Sequence, residues 1–223
     1  VWNLSRHSAG MMLQFRTDAP TIHVDHLVTS SNLGMPHMPA TGVSGLDLYA
    51  RNDEGQWRWV AVTQPKDQHM QTEIASGLRS GTRDYAIYLP LYNGTESLKI
   101  GVSAGQTFEP IAPRPEKPIV FYGTSITHGA SASRPGMPHP AILGRRLDRP
   151  TINLVFRAMA SWKKKWASFW WNWIRPYTCW IAFPIWWLQK SRNALLRWSA
   201  SFGLPILMCR LCWWKTARIQ HPG

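Results

Sequence analysis

The sequence predicts an N-terminal β-sandwich followed by the start of a parallel α/β sheet, and three features carry that reading. Residues 1–110 hold six short runs with strand character. A Pro-rich stretch follows, and residues 119–154 then read as strand, turn, helix and strand.

Taken in order, "MLQFRT", "TIHVDHLV", "GLDLYAR", "QWRWVAV", "DYAIYLPLY" and "SLKIGVS" alternate in polarity or are rich in β-branched and aromatic residues. Between them "DAP", "NDEG" and "YNGTE" supply residues that turns need. Strands at this spacing, without helical stretches, predict a sandwich. Trp57 and Trp59 lie two residues apart, so they share one strand face. The expectation for both is core packing rather than stacking on a ligand.

"EPIAPRPEKP", residues 109–118, has neither helical nor strand periodicity and predicts a linker. The sandwich is therefore assigned to 1–110, the linker to 111–118 and the start of the next domain to 119–154. That domain opens with "IVFYGTSITHGASAS", an apolar run of the kind buried on both sheet faces, which enters a turn of small residues. "PHPAILGRRLD" predicts a helix with Pro near its start, and "PTINL" a second buried strand. In such sheets chemistry gathers at the carboxyl ends of the strands, and Ser125 lies at one. Two strands alone do not complete a sheet.

Charge divides the chain at the same place. Residues 1–154 carry 14 Lys and Arg against 12 Asp and Glu, whereas residues 155–223 carry 11 and none. The last part also holds 11 of the 14 Trp and all three Cys. Of the net charge of +13, +11 therefore belongs to the tail, and the total does not mark the whole chain as a nucleic-acid binder. A disulfide framework is excluded from 1–154. No apolar run approaches the roughly 20 residues that span a bilayer. The start, without Met or signal peptide, reads as a fragment or a processed end.

A Ser at a strand end among small residues can be a nucleophile if a base activates it, with backbone amides holding the oxyanion. Ser125 is that candidate, with Gly123, Thr124, Thr127 and Gly129 around it as the substrate and oxyanion surroundings. His128 invites a dyad, but a neighbour so close in an irregular turn reads better as a local packing residue. His23, His26, His37, His69 and His139 lack metal-ligand spacing and read as structural or exposed. Cys209 and Cys212 form one CxxC without a partner pair, and with Cys179 they do not predict zinc.

"IVFYGTSITHG" resembles the first conserved block of the SGNH/GDSL serine hydrolases, whose nucleophile occupies the place of Ser125. "GLDLY", residues 45–49, resembles the GxDLY motif of the β domain preceding one branch of that superfamily, and "YLPLYNGTESLKIGV" its closing segment. The resemblance covers residues 1–154. It implies a flavodoxin-like α/β/α fold and an acyl-ester hydrolase or acyltransferase, often acting on acylated carbohydrates. Neither metal nor cofactor is implied, the substrate is a small-molecule or carbohydrate ester, and the setting is bacterial, secreted or periplasmic. It also implies an oxyanion hole from the Ser125 amide, a Gly of a second block and an Asn of a third, and a base from a late Asp-x-x-His. The later blocks are missing here: "VFRAMA" stands where something like GFSGNG is expected, and no Asp follows residue 154. His221 has no acidic partner in the tail.

The tail has three readings: a cationic Trp-rich membrane-surface segment, a nucleic-acid-binding segment, or translation out of frame. The genetic code favours the third. If one nucleotide was lost near the Leu154 codon, "FWWNWI" (169–174) must restore to leucine, valine, glutamate, leucine, aspartate. "CWWK" (212–215) must give leucine, valine, glutamate, then aspartate or asparagine. "VFRAMA" is compatible with GFSGNG if the lost base was a G. "CWIAFPIW" is compatible with LDCLPNM, which places an asparagine at the codon now read as Ile185. Residues 155–223 are accordingly expected not to fold natively, and the chain to be catalytically incomplete. The alternative is a non-catalytic carbohydrate- or partner-binding β module with a disordered or membrane-surface tail.

Overall fold

The computed structural model describes residues 6–154 and 178–181, all within one compact unit. Eight strands build the sandwich: β1 (Met12–Thr17), β2 (Ile22–Val28), β3 (Asp47–Arg51), β4 (Trp57–Val62), β5 (His69–Ala75), β6 (Arg83–Tyr88), β7 (Thr95–Val102) and β8 (Phe108–Pro110). A single helical turn, α1 (Ala40–Val43), precedes β3. The strands form a five-stranded sheet in the order β4-β3-β6-β1-β8 and a three-stranded sheet in the order β5-β2-β7, and all their pairings are antiparallel.

Alternation explains the core. Phe15, Leu48, Tyr85 and Ile87 point inward from the larger sheet to meet Ile22, Val24 and Ile74 of the smaller one. Phe15 and Tyr85, paired across β1 and β6, stack at 5.5 Å. On β2 the pattern is strict: Ile22, Val24, His26 and Val28 are buried while His23 is exposed. A period of two thus separates a dry face from a wetter one.

Three features of the sandwich differ from the sequence expectation. "HMQTEIA" is a strand, β5, whose outer positions are polar; it is held by pairing with β2 at the edge of its sheet. Phe108–Pro110, at the head of the Pro-rich stretch, pairs with β1 on the edge of the larger sheet, where a residue lacking an N–H is tolerated. The run "DYAIYLPLY" leaves the sheet at Tyr88, and residues 89–92 turn away as a buried shelf.

After the linker come β9 (Ile119–Tyr122), the one-turn helix α2 (Ser125–His128), α3 (His139–Leu147) and β10 (Thr151–Asn153). A further strand, β11 (Thr178–Ile181), pairs in parallel with β9 on the side opposite β10. The order β10-β9-β11 places the strands as 2-1-3, the arrangement with which flavodoxin-like sheets begin. α3 has Pro140 in its first turn and ends at Asp148 in the left-handed conformation. The third strand was not expected, since residues 155–223 were assigned to a non-native tail. "TCWI" is apolar and β-prone, so it suits the otherwise open edge of β9. The remaining tail residues lie outside the described ones.

Part of the outer face of the larger sheet is covered by α3. Tyr49 of β3 and Tyr88 of β6 pack with Ala141 of α3, with Trp57 against the group. Arg145 of α3 lies over the Tyr49 ring at 4.0 Å and the Tyr88 ring at 5.2 Å. Asp148 at the end of α3 accepts hydrogen bonds from Arg51 of β3 (2.6 Å) and Arg114 of the linker (3.0 Å). Sandwich and parallel sheet therefore share an interface. Trp57 and Trp59 belong to that outer face and not to the sandwich core. Trp59 is 51% exposed, and the guanidiniums of Arg51 and Arg134 lie over the rings of Trp57 and Trp59 at 4.6 and 4.8 Å.

Leu48 is fully buried, so Leu48→Ala is expected to cost about 2–5 kcal/mol in urea unfolding. Leu13→Ala, at a 43%-exposed position of β1, is expected to change stability by about 0.5 kcal/mol or less.

Candidate active site

The candidate residues sit together in the turn that leaves the carboxyl end of β9, the central strand of its sheet. Gly123 and Thr124 follow the strand, and Thr124 is the N-cap of α2. Ser125 opens α2, half-buried, with Ile126 beside it 65% exposed. The amides of Thr127 and His128 bond the Thr124 carbonyl, and those of Gly129 and Ala130 the Ser125 carbonyl. The amides of Ser125 and Ile126, at the start of the helical turn, have no carbonyl one turn back to bond, as in every helix. Gly129 has φ +123, and a Cβ there would lie 2.7 Å from Pro138 and 2.9 Å from Leu91. A side chain at that position would both strain the backbone and collide.

The sandwich supports this turn from below. Tyr92, in the shelf after β6, donates its hydroxyl to the Ser125 carbonyl at 3.3 Å. Thr127 and His128 are buried, and Asn153, at the carboxyl end of β10, donates to the Thr127 carbonyl at 3.0 Å. His128 turns Nε2 to the Leu91 carbonyl and packs its ring on Tyr92 at 4.5 Å and edge-on to His7 at 5.8 Å. This matches its reading as a packing residue.

The other histidines are dispersed. His26 is buried on β2 with Nε2 3.1 Å from the Thr95 hydroxyl, and burial lowers its pKa to about 4. His69 meets Asp25 at 2.8 Å on the surface, and His23 and His37 are exposed. His139 is half-buried edge-on to Phe121 at 5.7 Å, with burial lowering its pKa. Among the described residues no group of three His, Cys, Asp or Glu side chains could hold a metal ion. No helix among them is long and apolar enough to cross a membrane. His221, Cys209 and Cys212 lie outside the described residues; Cys179 falls on β11.

Asp47 is a fully buried carboxylate on the outer face of β3. Its Oδ2 accepts from the Gly136 amide at 2.8 Å, and its Oδ1 from the Trp59 indole at 2.9 Å. Arg134 Nε stands 3.4 Å from Oδ2 as an ion pair that is not aligned as a hydrogen bond. Burial pushes the Asp47 carboxyl up to about 6, against the pull of the Gly136 amide, Arg134, Trp59 and Arg145. A shallow groove of about 470 Å³ on the three-stranded sheet is lined by polar side chains such as His23, Asp25, Gln71 and Lys99. It lies on the opposite sheet of the sandwich from Asp47.

The Ser125 turn thus lies at the carboxyl end of the central strand of a 2-1-3 parallel sheet, where open α/β sheets place their ligands. Residues 1–108 match the family described as GxDLY, the N-terminus of SGNH-hydrolase-type esterases, and residues 116–168 match the GDSL-like lipase/acylhydrolase family. The two matches follow one another along the chain, the β domain first and the start of the hydrolase-type domain after it. The chain is similar to a solved GDSL-like lipase from Bacteroides ovatus ATCC 8483, with 34% identity and a TM-score of 0.69 over 74% of this chain and 49% of that one. It also shares its fold with the salicylyl-acyltransferase SsfX3 of a tetracycline biosynthetic pathway, at 23% identity and a TM-score of 0.52, over 69% of this chain and 41% of that one. The chain thus spans less than half the length of these solved relatives. No protein of curated function matches it.

The sign of the Asp47 effect can be checked. A carboxyl whose folded pKa is raised favours folding at low pH and loses that contribution as pH rises through the folded value. Relative to Asp47→Asn, the wild-type chain is expected to lose stability between about pH 4 and about pH 6, by up to about 1.4 kcal/mol per unit, and to level off above. Thermal midpoints of the two proteins from pH 4 to pH 8 measure this.

Proposed function

We propose that this chain is the front part of a serine esterase in which Ser125 attacks the carbonyl of an acyl ester. The carrying observation is the position of Ser125, first residue of a helical turn at the carboxyl end of the central parallel strand. Its own amide would help to hold the oxyanion. Gly123, Thr124, Thr127 and Gly129 shape the turn, and the exposed Ile126 offers apolar surface to an acyl group. The esterase character follows from the two family matches. The finer reading, an acylated carbohydrate or similar small ester, rests on the resemblance of "GLDLY" and "GTSITHG" to the branch with the β domain.

In this reading the catalytic base and the remaining oxyanion donors are lost with the reading frame near Leu154. The chain as written is then expected to be inactive. The absence of any acidic residue after position 154 supports this, because neither Asp nor Glu remains to orient a histidine. The division into a 1–110 sandwich, a 111–118 linker and a hydrolase domain from 119 belongs to the same proposal.

Two assays test it. The chain as written is expected to hydrolyse p-nitrophenyl acetate no faster than buffer. A gene with one G restored before the Val155 codon is expected to encode an active esterase whose kcat falls roughly 1,000-fold or more in Ser125→Ala. Ser125-dependent hydrolysis by the chain as written would refute the inactivity; a restored enzyme indifferent to Ser125→Ala would refute the nucleophile.

A further inference from the structure

The segment Ser131–Met137 joins the nucleophile turn to α3, and the sandwich grips it at several points. Thr41 of α1 donates to the Ser133 carbonyl at 2.7 Å. Gly42 lies so close to the segment that a Cβ there would be 2.3 Å from the Ala132 carbonyl. At the far end α3 adds its own hold, Arg145 Nη2 donating to the Gly136 carbonyl at 2.7 Å. Gly136 lies under Tyr49, where a Cβ would approach Tyr49 Cε2 to 2.5 Å and Asp47 Oδ2 to 2.8 Å. Ser131 holds φ +63, a conformation an L-residue keeps only when its surroundings impose it.

Asp47 is the centre of this grip. The side chain has no solvent exposure, yet each carboxylate oxygen accepts a hydrogen bond from a different direction. The Trp59 indole comes from its own sheet and the Gly136 amide from the segment. Arg134, two residues before Gly136, brings a positive charge to Oδ2 and lays its guanidinium on the Trp59 ring. Tyr49, Tyr88 and Arg145 are the remaining titratable or charged groups in the electrostatic surroundings of the carboxylate. A hydrophobic residue would fill this place at less cost to folding than a buried carboxylate. What a carboxylate supplies and an apolar side chain cannot is a fixed pair of acceptors, so the position of the Gly136 amide is specified.

We propose that Asp47, the central residue of "GLDLY", is a positioning residue: it fixes the Ser131–Met137 segment and through it the Ser125 turn. The β-sandwich is then half of the nucleophile's support and not an attached binding module. The catalytic consequence rests on reading Ser125 as the nucleophile; the hold on the segment does not.

Hydrogen exchange on the full chain tests this at single amides. Asp47→Ala is expected to speed exchange of the Gly136 amide roughly tenfold or more, while amides of the β1–β6 pair such as Phe15 and Tyr85 stay protected. Asp47→Asn is expected to do the same, since one amide oxygen cannot serve both the indole and Gly136. Adding Trp59→Phe to Asp47→Asn removes the competing donor and is expected to return protection to Gly136. A merely structural role would not produce that rescue. Unchanged Gly136 exchange in Asp47→Ala, a uniform rise at every amide, or no rescue by Trp59→Phe would each overturn the proposal. If Asp47→Ala does not fold, the two Asn variants decide the matter alone. The expected exchange pattern beside a frame-restored protein indifferent to Ser125→Ala would overturn the nucleophile and leave the hold of Asp47 standing.

Discussion

Burying one carboxylate between a sheet and the segment packed on its outer face constrains everything around it. A carboxylate removed from water must regain hydrogen bonds and opposite charge, or the fold loses several kcal/mol. Asp47 finds its partners in the Gly136 amide, the Trp59 indole and Arg134, from two places in the chain. Because those donors are directional, they set where the segment after the nucleophile turn runs. Part of the outer face of the larger sheet, which could have met solvent, is covered instead by α3, with Arg145 spread over Tyr49 and Tyr88. Asp148 completes the contact from the other side by accepting from Arg51 and Arg114.

The "GLDLY" motif follows from this arrangement position by position. Leu46 and Leu48 point into the sandwich core, while Asp47 and Tyr49 between them point out toward α3 and the 131–137 segment. One strand thus serves two dry faces, and its alternation is between apolar core and polar interface rather than core and water. The shelf after β6 does similar work under the nucleophile turn, where Leu91 and Tyr92 meet His128, Gly129 and the Ser125 carbonyl.

Much of the fold was legible because strand periodicity is local. Five of the six runs read as strands became β1, β2, β3, β4 and β7 within a residue or two, and the sixth kept its first half as β6. β5 escaped notice because "HMQTEIA" sits at an edge, where polar outer positions hide the apolar ones, and β8 because a Pro in it argued for a linker. Trp57 and Trp59 were read as core because large aromatics on one strand face usually are. Here the rings face α3 and two arginines instead. The turn at Ser125 was legible from the change of an apolar run into small residues. Asp47, Arg134, Gly136 and Asn153 were not, since residues 47 and 136 meet across 89 positions of sequence, and a charged residue between two leucines looks like an ordinary solvent-facing position.

By itself the sequence determined where strands and the turn at Ser125 form, where acidic residues cease, and which family the motifs resemble. Each depends on neighbours in the chain or on composition. The tertiary structure decided which sheet face stays dry, which order the parallel strands take, and that a sandwich residue holds the segment behind Ser125. Alternation shows that a strand has two faces; what covers the outer one depends on contacts between residues far apart in sequence, and no local pattern records them.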